Sequence, residues 1–317
     1  MKALYFNHFG DNSVLEYGTL PDPLIKSDEV LVKTDYIGLN FADIYRRRGH
    51  YHIEDHTPYI NGYEGLGTII KLGRSVTGIT LGTKILFVDV PFANAELVAV
   101  PVTKIIKLPA DLEEETAAAI GLQGLTADFL AHDLAKNKKD DKVFIQGISG
   151  GVGQILLQML VADGIEVYGA TSSNHKQQLA LTQGATEVNL RTDKKISREN
   201  GTFATVFDGV GQTLEQSIAL TQTKGAVVFF GMAGGDPPKV DLIKLLEHSK
   251  SILTGDLWDY LTSQTERQNR FNRLANYFIE QKIQIKQPQI FNLAEGKNAY
   301  ALLESGKSNG KILMKSN

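Results

Sequence analysis

The chain has 317 residues, a formal net charge of −3, and a composition of 42% hydrophobic and 22% charged residues. This length exceeds what one hydrophobic core usually organises, so we expect about two domains, and the composition excludes a disordered or fibrous protein. The near-neutral charge provides no basic surface for nucleic acid. The absence of cysteine excludes disulfides, thiol nucleophiles and cysteine-ligated zinc sites.

Two features predict a cytoplasmic protein without membrane insertion. The chain soon reaches the polar residues Asn7, His8 and Asp11, so we expect no apolar signal-peptide region in its first residues. The longest uncharged stretch, residues 143–162, contains glutamines and a cluster of glycines, which make it too polar and too poor a helix former to span a membrane.

Up to residue 120, short apolar segments alternate with turn-forming residues such as Pro21, Pro23, Gly73 and Gly78. This spacing predicts a strand-rich domain of the sandwich or barrel type. The predicted strands are Val30–Val32, Gly67–Ile70, Lys84–Phe87 and Leu97–Val100.

After residue 120, apolar strands alternate with helix-length segments. This pattern predicts an α/β fold with a parallel, doubly wound sheet and right-handed crossovers. The first of the helices carries apolar residues at helical spacing, which predicts one buried stripe. The final residues return to a strand, a helix and a strand. The predicted strands lie at Val143–Ile145, Glu166–Tyr168, Val188, Thr205–Phe207 and Val227–Phe230, and the helices at Gln154–Asp163, Asn174–Gln183 and Ser263–Lys282.

A glycine-rich turn joins the first of these strands to its helix. The strict dinucleotide fingerprint, Gly-x-Gly-x-x-Gly, fails because Ile148 occupies its first position, but the expected strand precedes the turn and a helix and a further strand follow it. A tight structural turn without a ligand is the alternative interpretation. We interpret the turn as a cofactor site at which the helix N-terminus binds a pyrophosphate. Its contacting residues would be Gly150, Gly151, Val152 and Gly153.

The residues after the second of these strands indicate which dinucleotide binds. NAD-dependent enzymes usually place a carboxylate here, whereas this chain has Ser172, Ser173 and Lys176, which favour the 2′-phosphate of NADP(H). We expect Arg191, just past the third strand, to add an ionic contact. The alternative is that Ser173 or Asn174 only caps the next helix and that Lys176 is a solvated surface residue.

A set of short motifs occurs along the chain at Gly38–Asp43, Arg48–Tyr51, Gly62–Gly67, Gly124–Ala127, Gly150–Gly153, Asp208–Gly211 and Gly310-Lys311. In order and spacing this set resembles the zinc-free quinone oxidoreductases of the medium-chain dehydrogenase/reductase superfamily, the zeta-crystallin-like branch. The resemblance covers nearly the whole chain. It implies a GroES-like catalytic domain at 1–120, a Rossmann NADP(H)-binding domain at 121–260, and a return of residues 261–317 to the catalytic domain. It also implies homo-oligomers, commonly homodimers joined through the Rossmann domains.

The resemblance also bears on metal binding. In zinc-dependent relatives the position of Asn40 carries a cysteine ligand and that of Tyr63 a histidine, so a zinc-free site is expected here. The segment 49–56 contains three histidines, and a metal site there is the alternative to an exposed loop on the substrate side, which we favour. We expect Arg46–Arg48 to form a solvated face rather than to steer the cofactor.

Without a zinc ion to polarise a carbonyl, the acceptor must already be electron-poor. The resemblance implies that Asn40 and Thr126 lie near the nicotinamide, Asn40 as a catalytic residue, and that the loop of Phe230, Gly231, Met232 and Ala233 passes beneath the cofactor. Tyr51 matches the tyrosine that enoyl reductases are thought to use as a proton donor, and water is the alternative donor.

Three functions follow from these observations. The first is NADPH-dependent reduction of quinones without zinc. The second is NADPH-dependent reduction of enones or enoyl thioesters on the same fold. The third is a non-catalytic protein that binds nucleotides or RNA, although the balanced charge disfavours RNA.

Overall fold

The computed structural model describes residues 1–308 and 310–316. The chain divides into two compact units. The first contains Met1–Gln123, Leu261–Ile279 and the stretch that begins at Lys286, and the second contains Gly124–Tyr260 and Glu280–Ile285. The chain therefore leaves the first unit after Gln123, returns at Leu261, and enters the second unit once more over Glu280–Ile285.

The first unit is built mainly of strands, as its short apolar segments predict. Its strands are β1 (Lys2–Phe6), β2 (Glu16–Thr19), β3 (Glu29–Gly38), β4 (Tyr59–Ile60), β5 (Glu64–Leu72), β6 (Lys84–Val88), β7 (Leu97–Pro101), β8 (Ile105–Lys107), β15 (Gln289–Asn292) and β16 (Ile312–Lys315). Its α-helices are α1 (Phe41–Arg47), α8 (Gln264–Ile279) and α9 (Gly296–Glu304), and α2 (Glu114–Phe129) begins in this unit. Short 3₁₀ segments lie at Asn12–Val14, Val102–Lys104 and Leu293–Glu295.

Two sheets organise the first unit. A small sheet has the order β2-β1-β4, and a seven-stranded sheet has the order β15-β16-β3-β5-β6-β8 with β7 also pairing β3. Val32, Ile69 and Phe87 belong to a cluster of side chains buried on this sheet, which accounts for the apolar runs in the sequence. The C-terminal strand β16 pairs with the end of β3, with Leu313 opposite Gly38. This pairing brings the tail of the chain to the residues that follow β3.

The second unit alternates strands and helices. Its strands are β9 (Lys142–Gln146), β10 (Glu166–Thr171), β11 (Glu187–Leu190), β12 (Phe203–Asp208), β13 (Thr221–Phe229) and β14 (Ser251–Thr254). Its α-helices are α3 (Gly151–Ala162), α4 (Asn174–Thr182), α5 (Leu214–Leu220), α6 (Leu242–Glu247) and α7 (Leu257–Tyr260), and it also has a π-helical turn at Leu130–Leu134 and a 3₁₀ segment at Lys194–Glu199.

The second unit has one parallel sheet of order β11-β10-β9-β12-β13-β14. Counted along the chain, this is the doubly wound order 3-2-1-4-5-6. The order reverses between β9 and β12, and ligands of such sheets bind outside the carboxyl ends of the strands at this switch point. The glycine-rich turn follows β9 and therefore lies at that point.

Helix α3 differs from its prediction in two ways. It begins at Gly151, three residues before the predicted start, because Gly151 and Gly153 of the glycine-rich segment belong to the helix. It is also buried on all sides from Gly153 to Leu160 rather than along one stripe. The returning segment 280–285 covers its polar side: Gln158 Nε2 donates to the Gln284 carbonyl at 2.8 Å, and Gln158 Oε1 accepts from the Gln284 N–H at 2.9 Å.

No helix within residues 1–308 and 310–316 is both long enough and apolar enough to cross a membrane.

Candidate active site

Asn40 is the N-cap residue of α1, two residues after the end of β3, and its side chain is buried. Its Nδ2 donates to Glu64 Oε1 at 2.8 Å, and its Oδ1 accepts from Lys311 Nζ at 3.0 Å. The Lys311 ammonium also donates to Glu64 Oε1. Asn40, Glu64 and Lys311 therefore form a closed set of contacts inside the first unit, which we call the Asn40 triangle.

Glu64 is the first residue of β5, and both of its carboxylate oxygens are paired. Oε2 accepts from the backbone N–H of Leu122 at 2.7 Å. Gly38 and Gly121 border the carboxylate, and a Cβ atom at either position would overlap it. Glycine is required at these two positions because the backbone approaches the carboxylate closely.

Asp43 lies in the first turn of α1 with its carboxyl fully buried. Its Oδ2 accepts from the Asn40 backbone N–H at 2.8 Å and from the Tyr300 hydroxyl at 3.1 Å, and Arg46 Nη1 lies 3.7 Å from Oδ1. Burial raises the pKa of the Asp43 carboxyl to about 6, although the Arg46 charge and these hydrogen bonds act in the opposite direction. The carboxyl that is hydrogen-bonded to the Asn40 backbone N–H therefore titrates near pH 6.

Tyr51 lies on the exposed loop between α1 and β4. Its φ is 67°, an uncommon value for a residue other than glycine, and its side chain is 41% exposed. Arg46 holds this loop, because its Nε donates to the His52 carbonyl at 3.0 Å and its guanidinium carbon lies 5.4 Å from the centre of the Tyr51 ring. The Tyr51 side chain is therefore partly exposed, and Arg46 restrains the backbone beside it.

Glu54 ties the far end of the same loop to the first unit. Its Oε2 accepts from the Tyr59 hydroxyl at 2.6 Å and from the Tyr63 hydroxyl. Burial and the adjacent Glu54 carboxylate raise the pKa of Tyr59. Tyr63, at the position where zinc-dependent relatives have a histidine, thus serves to anchor the loop.

The prediction of a solvated face at Arg46–Arg48 is wrong for Arg46 and Arg47, whose side chains are both fully buried. Arg46 stacks on Tyr63 with its guanidinium carbon 3.4 Å from the ring centre, and Arg47 donates to Glu304. Arg48 is exposed and also donates to Glu304, at 3.0 Å. A planar guanidinium can be buried against an aromatic ring or a carboxylate, and Glu304 lies too far along the chain for a local pattern to reveal it.

The predicted exposed loop is exposed at its three histidines, which are His50, His52 and His56. In the described ranges, no group of three or more histidine, aspartate or glutamate side chains is arranged to hold a metal ion.

In the second unit, the glycine turn has the geometry of an anion site. Gly150 is the N-cap of α3, and Gly151, Val152 and Gly153 form its first turn. The N–H groups of a first helical turn have no partner within the helix, and the helix dipole adds positive potential there. A Cβ at Gly153 would overlap the Gly147 carbonyl oxygen, so the helix packs directly on the turn. These are the features that a pyrophosphate requires.

Lys176 and Arg191 form a second cationic position, past the ends of β10 and β11. Lys176 is half-buried, and burial together with the positive charge of Arg191 lowers its pKa. Ser173 caps α4, since its hydroxyl oxygen accepts from the Lys176 backbone N–H at 3.4 Å, whereas Ser172 is exposed. A hydroxyl that accepts one bond can still donate another. A phosphate bound here would relieve the repulsion between the two cations.

Asp208, which sequence reasoning did not assign to the site, organises the switch point. Its buried carboxylate accepts from the Gly211 N–H at 3.0 Å, from the Thr213 hydroxyl at 2.9 Å and from the Ser217 hydroxyl at 2.6 Å. The motif Asp208–Gly211 was visible in the sequence, but nothing local indicated that the carboxylate points inward to hold its own turn.

Backbone hydrogen bonds to the end of β12 and the segment after it hold the predicted cofactor loop, which follows β13. The Phe230 N–H donates to the Asp208 carbonyl at 2.9 Å, and the Ala233 N–H donates to the Gly209 carbonyl at 3.1 Å. Gly231 lies between these two bonds. The loop is therefore fixed at both ends against the neighbouring turn.

The structure groups the predicted residues within each unit. In the first, Asn40 and Tyr51 are linked through Asp43 and Arg46. In the second, the glycine turn, the 230–233 loop and the Lys176–Arg191 position all follow the carboxyl ends of the parallel strands, and Thr126 is half-buried on α2. Sequence reasoning quoted Glu64 and Lys311 within motifs but gave them no role. A single charged residue beside an apolar strand was the available signal.

Comparison with known proteins identifies the family. Two family models match: an alcohol dehydrogenase GroES-like domain over residues 26–110, and a zinc-binding dehydrogenase over residues 151–271. A probable quinone oxidoreductase of Schizosaccharomyces pombe is 30% identical over 312 residues, covering 96% of this chain and 94% of that protein. The chain belongs to the quinone oxidoreductase branch of the medium-chain dehydrogenase/reductase superfamily. The family predicted from the motifs is confirmed.

Solved structures of quinone oxidoreductases share the fold. The Escherichia coli quinone oxidoreductase complexed with NADPH superposes with a TM-score of 0.94 at 28% identity, covering 99% of this chain and 100% of that chain. The quinone oxidoreductase of Pseudomonas syringae gives a TM-score of 0.95 at 27% identity, covering 99% of each chain. The predicted α/β fold class, with a strand-rich GroES-like domain and a parallel-sheet Rossmann domain, is confirmed.

One of the matching family models is named for zinc, but the residues of this quinone oxidoreductase do not fit that metal. The chain has no cysteine, and the amide of Asn40 and the phenol of Tyr63 are poor zinc ligands. The Lys311 ammonium already lies against Glu64 and Asn40, where a second cation would be repelled.

Proposed function

We propose that this protein is an NADPH-dependent quinone reductase that works without zinc. The observation that carries the proposal is the glycine turn at the N-terminus of α3 combined with the adjacent cations Lys176 and Arg191. Together they provide one position for a pyrophosphate and another for the 2′-phosphate that distinguishes NADPH from NADH. The names of its relatives support the choice of quinone as acceptor.

Each part of the chain has a separate task in this proposal. Bound NADPH supplies a hydride from its nicotinamide. The second unit binds the cofactor through Gly150, Gly151, Val152, Gly153, Ser172, Ser173, Lys176 and Arg191, and its 230–233 loop and Thr126 border the nicotinamide end. The first unit provides Asn40 beside the nicotinamide and Tyr51 beside the acceptor. In this division, residues 1–120 and 261–317 are the catalytic domain, and residues 121–260 bind NADP(H).

The nature of the acceptor follows from the groups available in the first unit. None of the groups around Asn40 replaces a Lewis acid for an isolated ketone, so the acceptor must delocalise the incoming negative charge itself. A quinone does so without an enzyme acid, because its reduced anion is stable. Enone reduction is the second candidate, since the partly exposed Tyr51 lies on a restrained loop and a tyrosine hydroxyl can protonate a carbon.

The test is a steady-state assay of NADPH oxidation with a simple quinone, an enone and an enoyl thioester, each in the presence and absence of a strong chelator. We expect turnover of the quinone that the chelator does not change, and less than one zinc per chain by elemental analysis. Tight NADPH binding without turnover of any acceptor would support a non-catalytic nucleotide-binding protein instead. Loss of activity with the chelator would contradict the zinc-free assignment.

We also propose that the protein forms a homodimer through its second unit. Strand β14 lies at the end of the strand order, and the preceding helix α6 exposes Leu242, Ile243 and Leu246 by 74%, 68% and 78%. Apolar side chains exposed to this degree are typical of an interface between copies. Light scattering after size exclusion tests this, and a monomer would contradict it. Because NADPH is regenerated inside the cell, we propose a cytoplasmic location, which cell fractionation tests.

A further inference from the structure

The Asn40 triangle contains a buried ion pair that the proposed reaction does not by itself require. Lys311 is 2% exposed and Glu64 is 1% exposed. Burying two charges is expensive, and a pair of apolar residues is often as stabilising as a buried ion pair. The pair joins residues 247 positions apart in the chain, so it depends on the long-range pairing of β16 with β3.

The pair fixes the orientation of the Asn40 carboxamide. Its carbonyl oxygen faces the Lys311 ammonium at 3.0 Å, and its amide nitrogen faces the Glu64 carboxylate at 2.8 Å. A rotated amide would place oxygen against carboxylate and N–H against ammonium, and both contacts would be repulsive. The Asn40 Nδ2 also donates to the Gly38 carbonyl at 3.5 Å, so both of its N–H groups have defined directions.

The pair also balances charge at this position. Lys311 contributes one positive charge and Glu64 one negative charge, and Asp43 with Arg46 forms a second opposite pair nearby. Removing either member of the first pair would leave one unit charge in contact with Asn40. Any ligand group that touches Asn40 would experience that charge with little screening.

We propose that Lys311 and Glu64 are positioning residues for the nicotinamide end of the cofactor: they hold the Asn40 carboxamide in one orientation and keep its surroundings electrically neutral. This inference rests on the proposed function, which places Asn40 at the nicotinamide. The consequence is specific, because the oxidised nicotinamide carries a positive charge and the reduced one does not. Neutral surroundings let the site bind the two forms without an added electrostatic preference.

The test compares the dissociation constants of NADPH and NADP⁺ for four variants by calorimetry at about pH 8, where Asp43, with its pKa of about 6, is ionised. Lys311→Met leaves the Glu64 carboxylate unbalanced and should tighten NADP⁺ relative to NADPH by about tenfold. Glu64→Gln leaves the Lys311 ammonium unbalanced and should shift the same ratio in the opposite direction. Lys311→Arg and the double variant Lys311→Met/Glu64→Gln should keep the ratio of the wild type.

Two further measurements separate this role from a structural one. Circular dichroism confirms that each variant is folded, and the double variant stays informative if a single variant is not. Binding of adenosine 2′,5′-bisphosphate, which lacks the nicotinamide, should be unchanged in every variant. Equal changes for NADPH and NADP⁺, or the same direction of shift in Lys311→Met and Glu64→Gln, would overturn the inference. If the wild type itself fails to bind NADPH, the proposed function fails instead.

Discussion

The buried carboxyl of Asp43 predicts how the stability of this protein depends on pH. Burial raises its pKa from 3.8 to about 6. Asp43→Asn replaces the carboxyl with a neutral amide of nearly the same shape, whose oxygen can still accept from the Asn40 N–H or the Tyr300 hydroxyl. The substitution therefore removes the titration and disturbs the packing little.

The sign follows from proton linkage. Between the unfolded pKa and the folded pKa, folded Asp43 holds a proton that the unfolded chain has released, so the free energy of unfolding falls as pH rises. This contribution is fully present below pH 3.8 and is lost as pH rises through about 6. The difference between the two pKa values corresponds to about 3 kcal/mol in total, of which about 1 kcal/mol is lost between about pH 5 and about pH 7.5.

Urea denaturation of the wild type and Asp43→Asn at these two pH values measures the effect. We expect the wild type to lose about 1 kcal/mol relative to the variant on going to the higher pH. Asp11→Asn is the control: hydrogen bonds from Ser13 lower the pKa of the exposed Asp11, so its titration lies below this range and its difference from the wild type should not change. The reasoning would be refuted if the free energies of unfolding of the wild type and Asp43→Asn differed by the same amount at both pH values.

Three other predictions concern cofactor binding and proton transfer. Lys176→Ala should weaken NADPH binding by roughly ten- to a hundredfold and leave NADH binding nearly unchanged, because only NADPH offers a 2′-phosphate to a charge-assisted bond; equal weakening in a titration of both cofactors would disprove this role. Tyr51→Phe should slow the reduction of an enone by about 10²–10⁴-fold if the phenol donates the proton, and the reduction of a quinone much less. Equal small losses in the initial rates of both reductions would indicate that water donates the proton. Gly153→Ala should lower the melting temperature, since its Cβ would overlap the Gly147 carbonyl oxygen. Gly150→Ala, whose Cβ would make only a tight contact with the same oxygen, should mainly weaken cofactor binding. A larger loss of melting temperature in Gly150→Ala than in Gly153→Ala would contradict the close helix packing.

The second unit could be predicted closely from the sequence for a physical reason. Its parallel strands are covered on both faces, so they read as continuous apolar runs, and the alternation of strands and helices nearly determines the topology. The glycine turn could be placed because it follows the first strand of the doubly wound order. What the sequence missed there was the depth of α3, since the covering segment 280–285 lies far along the chain and carries no local signature.

The first unit was predicted in type but not in detail. Its strands follow from turn spacing, yet the helix α1 was not predicted, and the predicted boundary at 120 falls inside α2. The sequence alone places charges on the surface, and this expectation failed at Arg46 and Arg47. Both are buried because an aromatic ring and a carboxylate from elsewhere in the chain meet their guanidinium groups.

The candidate site follows the same division. The proposed phosphate positions depend on local features, a helix N-terminus and nearby cations, so they could be predicted from sequence order. The surroundings of Asn40 depend instead on a carboxylate from the start of β5 and an ammonium from just before β16, which the pairing of β16 with β3 brings together. Some charged residues lie within a family motif but neither cap a helix nor form a turn. Such residues are therefore candidates for long-range contacts at the site. In this chain Glu64 and Lys311 both meet that description, and both contact Asn40.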